Sequence, residues 1–311
     1  MQPPATTPEA TSEVLDDSLP MPTEEPAPED GETAETGDRA YGAYQRGLFI
    51  TAFLRASDRL DVDPTDAAAM TLIGELHAQG LGLPQDFERA AHWYRLAARN
   101  GDPHASFALG TFALEGRGME RDPQAARAHF EAAAAKGHPA GSFNLALILL
   151  ETGEEEDAPR VAELMAHAAA AEIPEAQHGL GVLYMRGYGV ERDEARAAAL
   201  FFRSARNGYP TGMVEYAIAL FNGVGVNVDE ARAAEYFRLA AFRGSAVAQN
   251  RLARLYAVGR GVEQDEIEAA AWHILASAQG LEDEWLDERL RTLGEDASAR
   301  AEALARSRMS P

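Results

Sequence analysis

The residue types that carry catalysis are present in this chain, but not at spacings that bring them together. The eight histidines, His77, His92, His104, His129, His138, His167, His178 and His273, are scattered along the chain without clustering. None stands in the His-Glu-x-x-His spacing that sets two imidazoles on one helix face around zinc. There is no cysteine, which removes thiolate nucleophiles, thiolate metal ligands and disulfides together. Asp61-x-Asp63-x-x-Asp66 and the run Glu154-Glu155-Glu156-Asp157 lack the glycine and terminal glutamate of a calcium-binding EF-hand loop and read as solvated acid. Paired glycines such as Gly187 and Gly189 lack the third glycine and preceding strand of a dinucleotide fingerprint. A serine triad assembles in space rather than in sequence, but nothing in the order of residues points to one. No catalytic, cofactor-binding or metal-ligating residue is therefore assigned, and no cofactor is expected.

The elements behind these residues follow one pattern. Ala69, Ile73 and Leu76 recur at i, i+4 and i+7, the apolar stripe of a helix. Gly80-Leu81-Gly82 stops that helix, and Asp86 can cap a second one in which Ala90, Trp93, Ala97 and Ala98 again keep helical spacing. The anchor Ala69 reappears at Ala105, Gly141, Ala176, Gly212 and Ala248, in steps of 36, 36, 35, 36 and 36 residues. The glycine pair recurs as Gly116/Gly118, Gly187/Gly189, Gly223/Gly225 and Gly259/Gly261, and the capping acid as Asp122, Asp157, Asp193, Asp229 and Asp265. Six copies of a helix, glycine turn, helix unit imply a solenoid rather than two ordinary domains. In the third copy Glu151 takes the place of the first glycine and Gly153 survives as the second.

A unit with Ala-x-x-x-[Leu/Ile]-Gly near its start, Gly-x-Gly-Val before an Asp, and Ala-Ala late in the second helix resembles the Sel1-like repeat, a relative of the tetratricopeptide repeat. Gly187-Tyr188-Gly189-Val190-Glu191-Arg192-Asp193 and Gly259-Arg260-Gly261-Val262-Glu263-Gln264-Asp265 each carry every element of the turn, and the resemblance covers roughly residues 67 to 281. The fold expected is all-α: a right-handed α-solenoid of six repeats, with an N-terminal cap over 39–66 and capping helices over 282–311. The resemblance implies an adaptor acting in signalling, quality control or, in bacteria, the cell envelope. It also implies that the first helices line a concave surface.

Charge narrows the partners. With 50 acids against 28 bases the chain carries a formal charge of −22, and such a surface repels phosphate backbones, so nucleic acid is not expected. Residues 1–38 hold seven prolines, eleven acids and no base, a composition that cannot build a core and is expected to be disordered. No basic and apolar leader opens the chain as written, so export would require a start upstream of Met1. No apolar stretch is long enough to span a bilayer.

What the repeat leaves free is a face of the first helices. Two residues before the core position the copies read Thr71, Phe107, Phe143, His178, Val214 and Asn250; two residues after it, Glu75, Thr111, Leu147, Val182, Ile218 and Arg254. Variation where the architecture makes no demand is what a groove with its own partner shows. Phe107 and Phe143 are read as exposed aromatic anchors, extended by Leu147, Val182, Val214 and Ile218. Glu75, Glu215, Asn250, Arg251 and Arg254 form the polar ends. The partner expected is a protein or extended peptide, held without chemistry. A hydrolase acting on cell-wall material and a purely structural spacer are the alternatives, and both phenylalanines packing between helices is the alternative for the anchors.

Overall fold

The computed structural model describes residues 38–309, so the expectation for the acidic N-terminal stretch lies outside the described residues but for Asp38. These residues form helices α1 (Arg39–Gln45) and α2 (Phe49–Val62), then six pairs. The pairs are α3 (Ala67–Gln79) with α4 (Phe87–Arg99), α5 (Pro103–Glu115) with α6 (Pro123–Ala135), and α7 (Pro139–Thr152) with α8 (Ala158–Ala170). There follow α9 (Pro174–Arg186) with α10 (Glu194–Arg206), α11 (Pro210–Asn222) with α12 (Glu230–Phe242), and α13 (Ala246–Val258) with α14 (Glu266–Ala278). Two further helices, α15 (Glu284–Leu290) and α16 (Glu295–Met309), close the series, and no strand occurs among the described residues. Each first helix packs between the second helix of its own pair and that of the pair before, which makes the molecule an all-α solenoid.

The turn residues recur because each answers one physical demand. Gly80, Gly116, Gly187, Gly223 and Gly259 end their helices in the left-handed conformation, with φ between 69° and 71°. The second glycine of each turn serves a different purpose from chain reversal alone. A Cβ at Gly118, Gly189, Gly225 or Gly261 would collide with a backbone carbonyl at the start of the preceding pair's second helix: Phe87, Ala158, Glu194 or Glu230. These glycines set the spacing between repeats. Asp86, Asp122, Asp193, Asp229 and Asp265 accept the free N–H groups of the following helix. Their own N–H groups donate back to His77, Ala113, Tyr184, Leu220 and Tyr256 at 2.8–3.0 Å, clamping the loop.

The glycine of the Ala-x-x-x-[Leu/Ile]-Gly pattern is a packing residue. A Cβ at Gly74, Gly110 or Gly181 would lie 2.6–2.7 Å from the ring of Tyr94, Phe130 or Phe201. Those rings, with Met165 and Phe237 at equivalent places, are buried, and the neighbouring Trp93, Leu164, Leu200 and Tyr236 are only half-buried. In the last pair both places are buried, His273 at the ring position and Trp272 beside it. Trp272 is fully buried, with Phe242 edge-on at 5.1 Å and the Arg308 guanidinium of α16 4.1 Å above its ring.

The third pair departs from the others, and the structure corrects which glycine survives. Gly153 adopts φ 69° immediately after α7, so it has the helix-ending role of the first glycine, and it is the second that is missing. A 3-10 turn over Glu155–Asp157 leads into α8 instead, and the Asp157 side chain makes no cap bond. At the far end of α8, Glu172 takes φ 61°, where the neighbouring repeats place Gly137 and Gly208. Its carboxylate accepts from Asn207, Arg203 and Gln177, hydrogen bonds that hold its pKa at about 2.

Candidate binding face

The first helices bury one stripe against their partners and leave another open, and the residues expected in the groove divide between the two. Leu147 of α7 is 43% exposed, the most open of the apolar set. Val182 of α9 and Ile218 of α11 are half-buried and extend the same strip across two further repeats. Phe107 and Phe143 are half-buried against the core cluster rather than standing free. Phe107 stacks on the His138 ring at 4.7 Å and lies 5.8 Å from Phe130. Val214 is buried at 6% exposure with the packing residues of α11, and the next residue, Glu215, is half-buried.

Several of the polar residues are already engaged. Glu75 accepts the Tyr94 hydroxyl at 2.7 Å and also the Gln79 amide, tying α3 to α4. Asn250 is buried and donates to Asp283 at 2.7 Å. Arg254 forms a two-pronged ion pair with the same carboxylate, Nε and Nη2 donating at 2.6 and 2.7 Å. Burial pushes the Asp283 carboxyl up, but bonds from Arg254, Asn250 and the Leu286 N–H, with the Arg254 charge, outweigh it and hold the pKa at about 2. Glu215 is half-buried, burial pushes its carboxyl up, and no donor among the described residues pairs with it. Arg251 is exposed and has no ion-pair or hydrogen-bond partner among the described residues.

Histidines that are scattered in sequence do meet in space. His104 Nδ1 and His138 Nε2 lie 3.1 Å apart, and His138 Nδ1 accepts the Gly141 N–H at 3.0 Å, capping α7 where neighbouring first helices use Asp66, Asp102 or Ser245. An accepting Nδ1 requires the Nε2–H tautomer, so His138 is neutral and donates to His104. His167 Nδ1 is 2.9 Å from the Ser142 hydroxyl, which itself donates to the His138 carbonyl. Burial, then the neighbouring His104, pushes His138 below the usual imidazole range, with Asp102 opposing and His167 reinforcing. The signal available in the sequence was the spacing of 34 residues between His104 and His138, close to one repeat. No group of three or more potential ligands is arranged to hold a metal ion among the described residues.

At the C-terminal end of the face, a cavity of about 280 Å³ opens between α11, α12, α13 and α15. Ile218, Phe221, Phe237 and Leu255 give it an apolar floor, Trp285 a wall, and Arg251, Arg254 and Arg260 line it with Asn222.

The Sel1 repeat model matches residues 67–102, 103–138, 174–209, 210–245 and 246–281, which together make up more than half of the chain. This chain belongs to the Sel1 repeat family. The stretch the model passes over, 139–173, is the pair whose second turn glycine and aspartate cap are missing. Among solved structures, a Sel1 repeat protein from Oxalobacter formigenes aligns over 80% of this chain and 100% of its own, with a TM-score of 0.65 and 24% identity. A protective antigen of uropathogenic Escherichia coli strains that displays an SLR fold aligns over 88% of this chain and 69% of its own, with a TM-score of 0.59 and 23% identity. No match was found among curated proteins. Sel1 repeats generally mediate protein–protein interaction, and no helix among the described residues is long and apolar enough to cross a membrane.

Proposed function

We propose that this Sel1 repeat protein is a non-catalytic scaffold that holds a protein segment or extended peptide along the face of its first helices. The observation that carries this reading is a strip of apolar side chains, Leu147, Val182 and Ile218, left partly open on three successive first helices. Architecture does not require it, since the equivalent places in the outer repeats hold Glu75, Thr111 and Arg254. Spaced at one residue per repeat, such a strip suits a ligand that runs along the solenoid rather than one that fills a single pocket. Apolar groups spaced along a rigid surface are the anchors by which extended segments are read.

The test is a random-peptide display selection on the full chain, followed by affinity measurements on the Leu147→Arg variant. Leu147 is exposed enough that the substitution leaves the core intact, and the selected peptides should lose at least about tenfold in affinity. Peptides that bind Leu147→Arg as tightly as the parent would remove this face from consideration. Phe107→Ser is a poorer probe, because Phe107 also supports His138 and Phe130 and its loss unsettles the fold.

A further inference from the structure

The cavity at the C-terminal end of this face has a chemistry of its own. Its floor is apolar, and Val258 at the rim and the Trp285 wall are 44% and 41% exposed, large hydrophobic surface left open to water. At about 280 Å³ it lies at the lower edge of small-molecule pockets, which run from about 300 Å³ upward, and is the size for one bulky side chain rather than a cofactor. The polar lining is of a single sign: Arg251, Arg254 and Arg260 with Asn222, and no acid. Asp283 and Glu230 balance the charges of Arg254 and Arg260, which leaves Arg251, exposed and without an ion-pair partner among the described residues, as the uncompensated positive charge at this mouth in a chain of net charge −22.

Two of these guanidinium groups are also fixed in place. Arg254 spends Nε and Nη2 on Asp283 and lies 5.2 Å from the Trp285 ring centre. Arg260 spends the same two nitrogens on Glu230 and sits 4.2 Å over Phe221. Among the described residues each keeps Nη1 unbonded, and Arg251 keeps its whole fork. Guanidinium groups held by other contacts lose little side-chain freedom when they take a new acceptor, and a free fork matches a carboxylate in two-point geometry.

We propose that this cavity seats one bulky apolar side chain of a partner peptide whose flanking residues are acidic, with Arg251, Arg254 and Arg260 taking the carboxylates. The proposal rests on the scaffold reading and names the sequence class of the partner at one end of the face. Charge complementarity selects the acidic flanks, and the apolar floor selects the central residue.

The test uses the full chain, at about 0.15 M salt so that charges farther than about 8 Å are screened. The probe is a fluorescently labelled acetyl-Asp-Glu-Trp-Glu-Asp-amide, with two controls: alanine at the centre, and lysine at all four flanks. The acidic Trp probe should bind at least tenfold more tightly than either control. Arg251→Glu should lose at least tenfold for the acidic probe and gain for the lysine probe, with an unchanged circular dichroism spectrum and thermal midpoint. Failure of the acidic probe to bind, equal binding of the lysine probe, or an Arg251→Glu variant within twofold of the parent would overturn the assignment. Display-selected peptides that lose affinity with Leu147→Arg but not with Arg251→Glu would also overturn it, while sustaining the scaffold reading.

Discussion

Five titrating side chains tie structure to solution conditions, and His138 and Asp283 do so through specific hydrogen bonds. His138 caps α7 only while its Nδ1 is unprotonated, and burial and His104 hold its folded pKa below the ordinary 6.5. On acidification the unfolded chain therefore takes up this proton first. The stabilisation is complete above about pH 6.5 and is lost as the pH falls through the folded pKa. His77, His129 and His178 are also lowered, first by burial, and act with the same sign. His138→Asn supplies a carbonyl oxygen as an alternative cap without a titrating ring. The fall in its thermal midpoint from about pH 7.5 to about pH 5 should be shallower than in the parent, and an equally steep fall would show that the cap is not a source of the acid sensitivity. Asp283 titrates lower, at about 2 against an ordinary 3.8, so its share is present above pH 3.8 and lost as the pH falls through about 2. Removing it in Asp283→Ala strips Arg254 and Asn250 of their acceptor and should cost about 1.5–3 kcal/mol in denaturant unfolding at neutral pH. An undiminished unfolding free energy would contradict that. Beyond the near-repeat spacing of His104 and His138, this was not legible in the sequence, because His104 and Asp283 act through neighbours about one repeat away, and a residue type alone does not reveal which neighbours the superposition of repeats supplies. Asn250 and Arg254, variable at a place where a groove residue is expected, turn out to hold the C-terminal elements together.

Much more was legible at the level of the helix pair, since a chain that repeats itself shows which positions geometry requires. Outside the third pair, where Asp157 makes no cap bond and Gly153 ends the helix, the helix-ending glycines, the aspartate caps and the prolines at first-helix starts fall where turn chemistry places them. Periodicity could not say why a required residue is required. The second turn glycine is set by a carbonyl in the repeat before it, and the mid-helix glycine by an aromatic ring in the next helix. These are contacts between helices, the first across repeats and the second within one, and a period in the sequence names neither partner. They separate two otherwise similar substitutions. Gly110→Ala would place a Cβ 2.6 Å from the Phe130 ring and should cost about 1–3 kcal/mol by overpacking. Gly42→Ala in α1 meets nothing within 4 Å and, at an ordinary helical angle, should instead stabilise by about 0.4–1 kcal/mol. Chemical denaturation of the two variants measures both. Shifts of the same sign would mean that helix propensity, not ring packing, governs the glycine positions.

At the scale of the whole molecule, stability is carried by contacts between neighbours, and each first helix packs chiefly against the two helices that flank it in the chain. Residues 174–209 are one matched repeat, and their removal joins Ile173 to Pro210, preserving an apolar residue before a helix-starting proline as at Tyr209–Pro210. The new neighbours are compatible at the tightest point. Gly225, which lies against the Glu194 carbonyl, would meet the Ala158 carbonyl that Gly189 meets in the intact chain. What changes is the Glu172 network, since Arg203, Asn207 and Gln177 leave with the repeat and their equivalents one period on are Leu239, Arg243 and Met213, so that the left-handed Glu172 exchanges three donors for the Arg243 guanidinium alone. The shortened chain should therefore remain helical and unfold cooperatively, at a lower midpoint and with a smaller denaturant slope because less surface is exposed. Replacing Glu172 with Gly in the same deletion should recover part of the midpoint, since glycine accepts φ 61° without support. The shortened chain should also retain the acidic-probe cavity, which is built from α11, α12, α13 and α15, while losing the Val182 position of the apolar strip. Collapse of the helical signal on deletion would show instead that the solenoid depends on this repeat as a whole and not on the sum of its interfaces.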